Sequence, residues 1–248
     1  MALECRPTGR RDPFSPRQSS FILSPSPTLP QELLDKIIDI LCHDFETLKC
    51  CSVASSMLHS RSQMHIFSTI CIYSLDNVQR LRNLVDTNST LLGNVRELKI
   101  ANISDIGKYD TDIPYILRMA ISLRSLSILS ARCSWSSIHR NTRDALIQAF
   151  RSPSLVSLSI NLMYSFPIPI FALDINVPYL ALKEVTFDAF TGDFPSATSA
   201  DYSRMAVHTL EVSFSTVSLV HTVIELPNSF ITRIRRGEFE IVVDACIL

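Results

Sequence analysis

Leu123-Arg124-Ser125-Leu126-Ser127-Ile128 and Leu155-Val156-Ser157-Leu158-Ser159-Ile160 share one pattern, in which apolar residues alternate with Ser or Arg. Alternation with a period of two puts the apolar side chains on one face of an extended strand. The pattern recurs in Val95-Arg96-Glu97-Leu98-Lys99-Ile100, Leu182-Lys183-Glu184-Val185-Thr186-Phe187 and Val207-His208-Thr209-Leu210-Glu211-Val212. The central residues 98, 126, 158, 185 and 210 are 28, 32, 27 and 25 apart, so each strand is followed by a return of similar length. Such returns are long enough to carry the chain back and start the next strand parallel to the last.

The segments between strands fit that role. Asp76 to Thr87, Ile113 to Ser122 and Thr142 to Phe150 have apolar residues at three-to-four spacing, as crossover helices would. The period is that of a leucine-rich repeat, in degenerate form and without a regular Asn or Cys ladder. The expected fold class is therefore α/β, with a short irregular leucine-rich-repeat-like solenoid and a parallel sheet over residues 68–248. Phe67 to Ser74 is expected to open the array directly after a helix, which predicts a rigid junction. Residues 163–180 carry three prolines and no helical periodicity, so this return is expected to be irregular. Glu238 to Leu248 reads as an apolar strand without a polar cap, which suggests cover by a partner or a shortened gene product.

Upstream, the composition changes twice. Residues 1–28 mix Arg, Pro and Ser with few apolar side chains, so a flexible tail is expected there. Arg6, Arg10, Arg11 and Arg17, with three Ser-Pro pairs, fit a solvated arm or a localisation or phosphorylation segment. From Pro30, Leu33, Leu34, Ile37, Ile38 and Leu41 recur at helical spacing, with proline where the first turn tolerates a missing N–H. Asp44 is placed to cap a second helix through Leu48 and Cys51. A third is expected from about Met57 to Ile66, with Ser60, Arg61 and Gln63 facing water. Residues 29–67 thus read as a three-helix module.

This module resembles the F-box, and most closely the variety abundant in mushroom-forming fungi. The residues that carry the resemblance are Leu29-Pro30-x-Glu32-Leu33-Leu34-x-x-Ile37-Ile38-x-x-Leu41, then Asp44-x-x-Thr47-Leu48-x-x-Cys51-Ser52-Val53, then Ser60-Arg61 and His65-Ile66-Phe67. Where such proteins carry Val-Cys and then Trp, this chain has the smaller Ala54-Ser55 and Leu58, so a looser grip on the adaptor is expected. The resemblance implies docking on a Skp-type adaptor and, through it, membership of a cullin-based ubiquitin ligase. Carried over position by position, the adaptor contacts are Leu29, Pro30, Leu33, Leu34, Ile37, Leu41, Leu48, Val53 and Leu58. Some of these are expected to pack on the repeats instead, and the module could also be a plain helical cap on the array.

Enzyme chemistry has little footing in the sequence. The five glycines are too far apart for a phosphate-cradling loop or a nucleophile elbow. The six histidines form no H-E-x-x-H and no pair with a carboxylate at metal-ligand spacing, so neither a metal nor another cofactor is expected. Seven scattered cysteines without a C-x-x-C pair predict reduced, mostly buried thiols, with Cys50-Cys51 packing in a core. A net charge of −1 argues against nucleic acid as a partner, and no apolar run is long enough to span a membrane. An intracellular place, cytoplasmic or nuclear, is expected. Trp135, the only tryptophan, is a candidate substrate anchor or a packing residue. Arg233, Arg235 and Arg236 suit an acidic target or a solvated turn. The expected function is a non-catalytic adaptor that presents an unidentified target protein to a ubiquitin ligase; the alternatives are a repeat scaffold unrelated to ubiquitin and a degenerate paralogue of little activity.

Overall fold

Each N-terminal helix begins at a residue suited to starting one. Pro30, which has no N–H to leave unpaired, precedes α1 (Gln31–Ile40), and its carbonyl accepts from the Leu33 and Leu34 amides. Asp44 caps α2 (Phe45–Ala54) by accepting from the Thr47 amide at 3.0 Å and the Thr47 hydroxyl at 2.6 Å. Ser55 ends α2 in an extended conformation and caps α3 (Ser56–Ile66), accepting from the Met57 amide. The computed structural model describes residues 29–103, 111–167, 169–170, 175–188, 207, 209–213 and 240–243. The expected tail at 1–28 and the arginines at 233, 235 and 236 lie outside them.

The chain passes from α3 into strand β1 (Thr69–Ile72) with almost no linker, as the sequence predicts. Ser68 secures the junction: its hydroxyl donates to the His65 carbonyl, while its own carbonyl accepts from the Arg96 and Glu97 amides. Beyond it come α4 (Leu75–Thr87), a short 3-10 segment (Ser89–Asn94), β2 (Glu97–Ala101), α5 (Asp112–Met119) and β3 (Ser125–Ser134). Then follow a 3-10 turn at Trp135–Ser137, α6 (Arg140–Phe150) and β4 (Ser157–Tyr164). The three crossover helices expected from spacing are α4, α5 and α6.

Among the described residues the last part of the array has five strands and no α-helix: β5 (Phe166–Pro167), β6 (Tyr179–Lys183), β7 (Phe187–Asp188), β8 (Thr209–Ser213) and β9 (Glu240–Val243). The main sheet has seven strands in the order β1-β2-β3-β4-β6-β8-β9, and every pairing is parallel. β5 and β7 pair in a separate two-stranded sheet. The architecture is mixed α/β, with three helices leading into a parallel sheet laid down strand by strand.

Register explains the core. Ile70, Leu98, Leu126, Leu158, Leu180 and Leu210 align across the sheet, and so do Ile72, Ile100, Ile128, Ile160 and Leu182. All of these but Ile70 are buried, and they pack with Val78, Leu81, Val85, Ile113, Ile116, Leu146 and Phe150 from the helices. On the other face the intervening row Cys71, Lys99, Ser127, Ser159, Ala181, Glu211 is partly or fully exposed except at Ala181, which is buried. Burial of each Leu or Ile is worth about 1.5–3 kcal/mol, so the aligned rows are the main source of stability.

Several expectations need correction. The strand expected at residues 182–187 is instead β6 at Tyr179–Lys183, where Leu180 rather than Val185 aligns with Leu158. Glu184 then takes a left-handed conformation (φ 53°) and swings Val185 and Phe187 out of the main sheet, so that Phe187 pairs with Phe166. The described residues of the proline-rich return at 163–180 include no α-helix, and Phe166, Ile170, Ile175 and Val177 among them are buried. Trp135 is 1% exposed, with its ring centroid 5.1 Å from that of Phe166 and 6.5 Å from that of Phe150. Of the two readings of Trp135 the packing one therefore holds: an irregularity in β3 between Leu129 and Cys133 and the following 3-10 turn carry it inward. Of the described cysteines, all free, only Cys133 is buried; Cys50 is exposed and Cys51 half-buried, so this pair does not fill a core.

The buried single tryptophan gives a direct readout of the array. Trp135 is expected to emit at short wavelength in the native chain and to shift red in one cooperative step on denaturation. Leu158→Ala, which opens a cavity in the aligned row, should lower stability by about 3 kcal/mol in a urea titration followed by that signal. Glu184→Asn should raise it by up to about 1 kcal/mol, because Asn tolerates the left-handed conformation better than Glu does.

Candidate functional site

The three N-terminal helices carry more apolar surface than they can bury together. At about 100° per residue, Leu33, Ile37 and Ile40 lie within about 60° of one another on α1, and Leu34, Ile38 and Leu41 extend that arc on one side. Only the second set turns inward. Ile38 is 1% exposed and Leu34 and Leu41 are half-buried, whereas Leu33 is 46%, Ile37 45% and Ile40 81% exposed. Leu29, just before the helix, is 52% exposed and lies four residues from Leu33.

The interior on which these helices close is small. Among their apolar side chains only Ile38 and Leu48 are fully buried, and neither joins the large core beneath the sheet. Polar contacts supply much of the alignment. Asp39 on α1 receives a bidentate grip from Arg61 on α3, with Nε at 2.6 Å from Oδ1 and Nη2 at 2.7 Å from Oδ2. His65 Nε2 stands 2.8 Å from the same Oδ1. Arg61 thus serves as a strut between helices instead of facing water as expected, and Gln63 is half-buried. Gln31 adds a second tie between α1 and α3, donating from Nε2 to the Met57 carbonyl at 2.9 Å. An open cleft of about 450 Å³ lies beside that tie, lined by Gln31, Asp35, Met57, Arg61, Met64 and Asn94 among others.

The hydrogen bonds from Arg61, then those of His65, hold the Asp39 carboxyl well below its ordinary value of 3.8. Its ionised form is therefore stabilised by folding, but the side chain is 38% exposed, so solvent screening limits the gain. A depressed folded-state value means the contribution is present above the unfolded-state value and is lost as pH falls through the folded one.

The residues assigned from the sequence separate by position. Leu29, Pro30, Leu33, Ile37 and Val53 are exposed, Val53 at 87%. Leu34, Leu41 and Leu58 are half-buried, and Leu48, at 1% exposed, is interior and can only position the others. Ala54 is exposed, and Ser55 is committed to capping α3. Sequence reasoning missed Ile40, Phe45 and Met57, all exposed, and the Asp39 strut. Ile40 continues the Leu33–Ile37 spacing and so was findable; Phe45 lies under the Lys49 ammonium, 4.5 Å from its ring centroid, which spacing does not announce.

Among the described residues there is no group of three or more His, Cys, Asp or Glu side chains arranged to hold a metal, and no helix long and apolar enough to cross a membrane. The chain matches no family model, no curated protein and no solved structure.

Acid should loosen the strut. Hydrogen exchange of the α1 and α3 amides is expected to speed up, relative to the sheet, as pH falls from 3.8 toward 2, and Asp39→Asn should exchange faster at neutral pH and lose most of that pH dependence. Equal protection in both proteins at neutral pH would remove Asp39 from the account.

Proposed function

We infer that this chain is a non-catalytic adaptor whose three N-terminal helices form an F-box-like module. The module docks on a Skp-type adaptor and so places the chain in a cullin-based ubiquitin ligase. The following region is a degenerate leucine-rich-repeat-like solenoid that presents a target protein. The observation that carries this reading is the apolar arc of α1, one side of which closes the module while the other, with Leu29, Leu33, Ile37 and Ile40, is left in water. Contiguous exposed apolar surface on a small helical unit is the usual mark of a protein partner. The sequence pattern at residues 29–67 supports the choice of partner. Catalysis would then rest with associated enzymes, and the chain's contribution is proximity: holding a target beside the charged ubiquitin carrier raises its effective concentration.

Co-purification of the full chain with a Skp-type adaptor tests the reading. The full chain is expected to capture the adaptor, and Leu33→Asp with Ile37→Asp to abolish capture, while Leu84→Asp on α4, also exposed, leaves it intact. Because all three positions are exposed, the Trp135 emission should stay native throughout. No capture by the folded full chain, or equal capture by the double variant, would overturn the ligase reading and leave a repeat scaffold without a link to ubiquitin.

A further inference from the structure

The turns that lead into successive strands gather arginines from separate parts of the chain. Arg96 precedes β2 and Arg124 precedes β3, and the Arg124 amide donates to the Arg96 carbonyl at 2.8 Å, so the two are neighbours on adjacent rungs. Arg96 Nη1 reaches the Ser122 carbonyl at 3.4 Å. Arg118 closes α5 and Arg151 follows α6, and the turn after Arg151 is held against residues 121–123 by Ser154, whose hydroxyl donates to the Leu123 carbonyl at 2.9 Å. All four guanidinium groups are on exposed residues, and none has a carboxylate partner among the described residues. Residues 88–96, 118–125 and 151–157 contain no Asp or Glu at all.

Helix ends do not cancel this charge. α5 and α6 finish at this rim, next to Arg118 and Arg151, and each C-terminus contributes about −0.5 of an elementary charge against four full positive charges. The rim also has a floor. Leu117, Ala120, Ile121, Ala145 and Ala149 line an open groove of about 280 Å³ between α5 and α6, with Arg118 at its side. Ile121, 75% exposed, stands at its mouth.

We propose that this groove and its arginine rim bind a short acidic segment of a partner protein, with an apolar side chain seated between α5 and α6 and carboxylates paired to Arg118, Arg124 and Arg151. An unpaired arginine fork suits a carboxylate, and the apolar floor gives a neighbouring side chain somewhere to go. A nucleic acid would use the charge but not the floor, and the chain as a whole, at −1, does not attract one. The proposal rests on the repeat region being the partner-binding half, and not on what the three helices bind.

The test uses the full chain and a fluorescein-labelled peptide of leucines flanked by glutamates, read by anisotropy at low salt. Binding is expected, with loss as salt is raised. Arg118→Gln and Arg151→Gln should each weaken it about three- to fivefold, as exposed charge pairs do. Ile121→Ser, which leaves the charge unchanged, should also weaken it. A peptide with lysine for glutamate should not bind. The proposal fails if the glutamate peptide does not bind the chain with native Trp135 emission, if the arginine variants bind it unchanged, or if a single-stranded oligonucleotide binds more tightly. Adaptor capture by the helices and peptide binding by the groove are read on separate surfaces, so failure of one is distinguishable from failure of the other.

Discussion

Alignment of like side chains across a parallel sheet is the constraint on which the rest of the structure depends. Leu98, Leu126, Leu158, Leu180 and Leu210 lie in one row because each strand enters the sheet in the same register as its neighbour. A slip of one residue anywhere would turn that strand's Leu and Ile to water and its Ser or Lys to the core. The returns need only bring the chain back in register, which is why they can differ so much. Three of them use a helix, whereas the return between β4 and β6 uses a small two-stranded sheet and buried Phe166 instead. Left-handed Asn102 and Glu184 each follow the last paired residue of β2 and β6, whereas left-handed Leu162 interrupts the β3–β4 ladder, which resumes at Cys133 and Met163.

The N-terminal helices are held in a different way. Their interior has only Ile38 and Leu48 fully buried, far less than the core beneath the sheet. What they lack in apolar packing is partly offset by Asp39, which ties α1 to α3 through Arg61 and His65, and by the direct run from α3 into β1. A unit built this way stays poised: its geometry is set, but half of its apolar arc is still solvated. Closing the arc inward would require a larger interior than about forty residues can enclose, so its outer side, with Leu33, Ile37 and Ile40, stays in water.

Much of this was legible in the residues. Period-two alternation located β2, β3, β4 and β8, and three-to-four spacing located α1 and the crossover helices, because both signals are local. The strand at 182–187 was misplaced for a physical reason: its alternation is real but serves the small sheet, and only cross-strand register picks out Leu180. A packing role for Trp135 was within reach of the sequence, but its partner was not, since that contact depends on a bulge in β3 and on Phe166, thirty-one residues on. The candidate site on α1 was half legible. Spacing gave Leu33 and Ile37, but which side of the arc faces inward is decided by Asp39 and Arg61, twenty-two residues apart.

Net charge is the clearest case of a sequence average that hides structure. A balance of −1 excludes a broad basic surface, yet it says nothing about where the charges stand. Parallel repeats bring equivalent turns together, so one arginine in each of several turns becomes a row, as Arg96 and Arg124 do. The acidic residues are sorted elsewhere by the same geometry: Glu97 to Lys99 and Glu211 to Lys183 on the sheet face, Asp86 to Arg82 on α4, Asp39 to Arg61 between helices. These carboxylates are engaged locally in pairs, while Arg96, Arg118, Arg124 and Arg151 have no carboxylate partner among the described residues. In a repeat architecture, composition per turn is therefore a better guide to a binding surface than composition per chain.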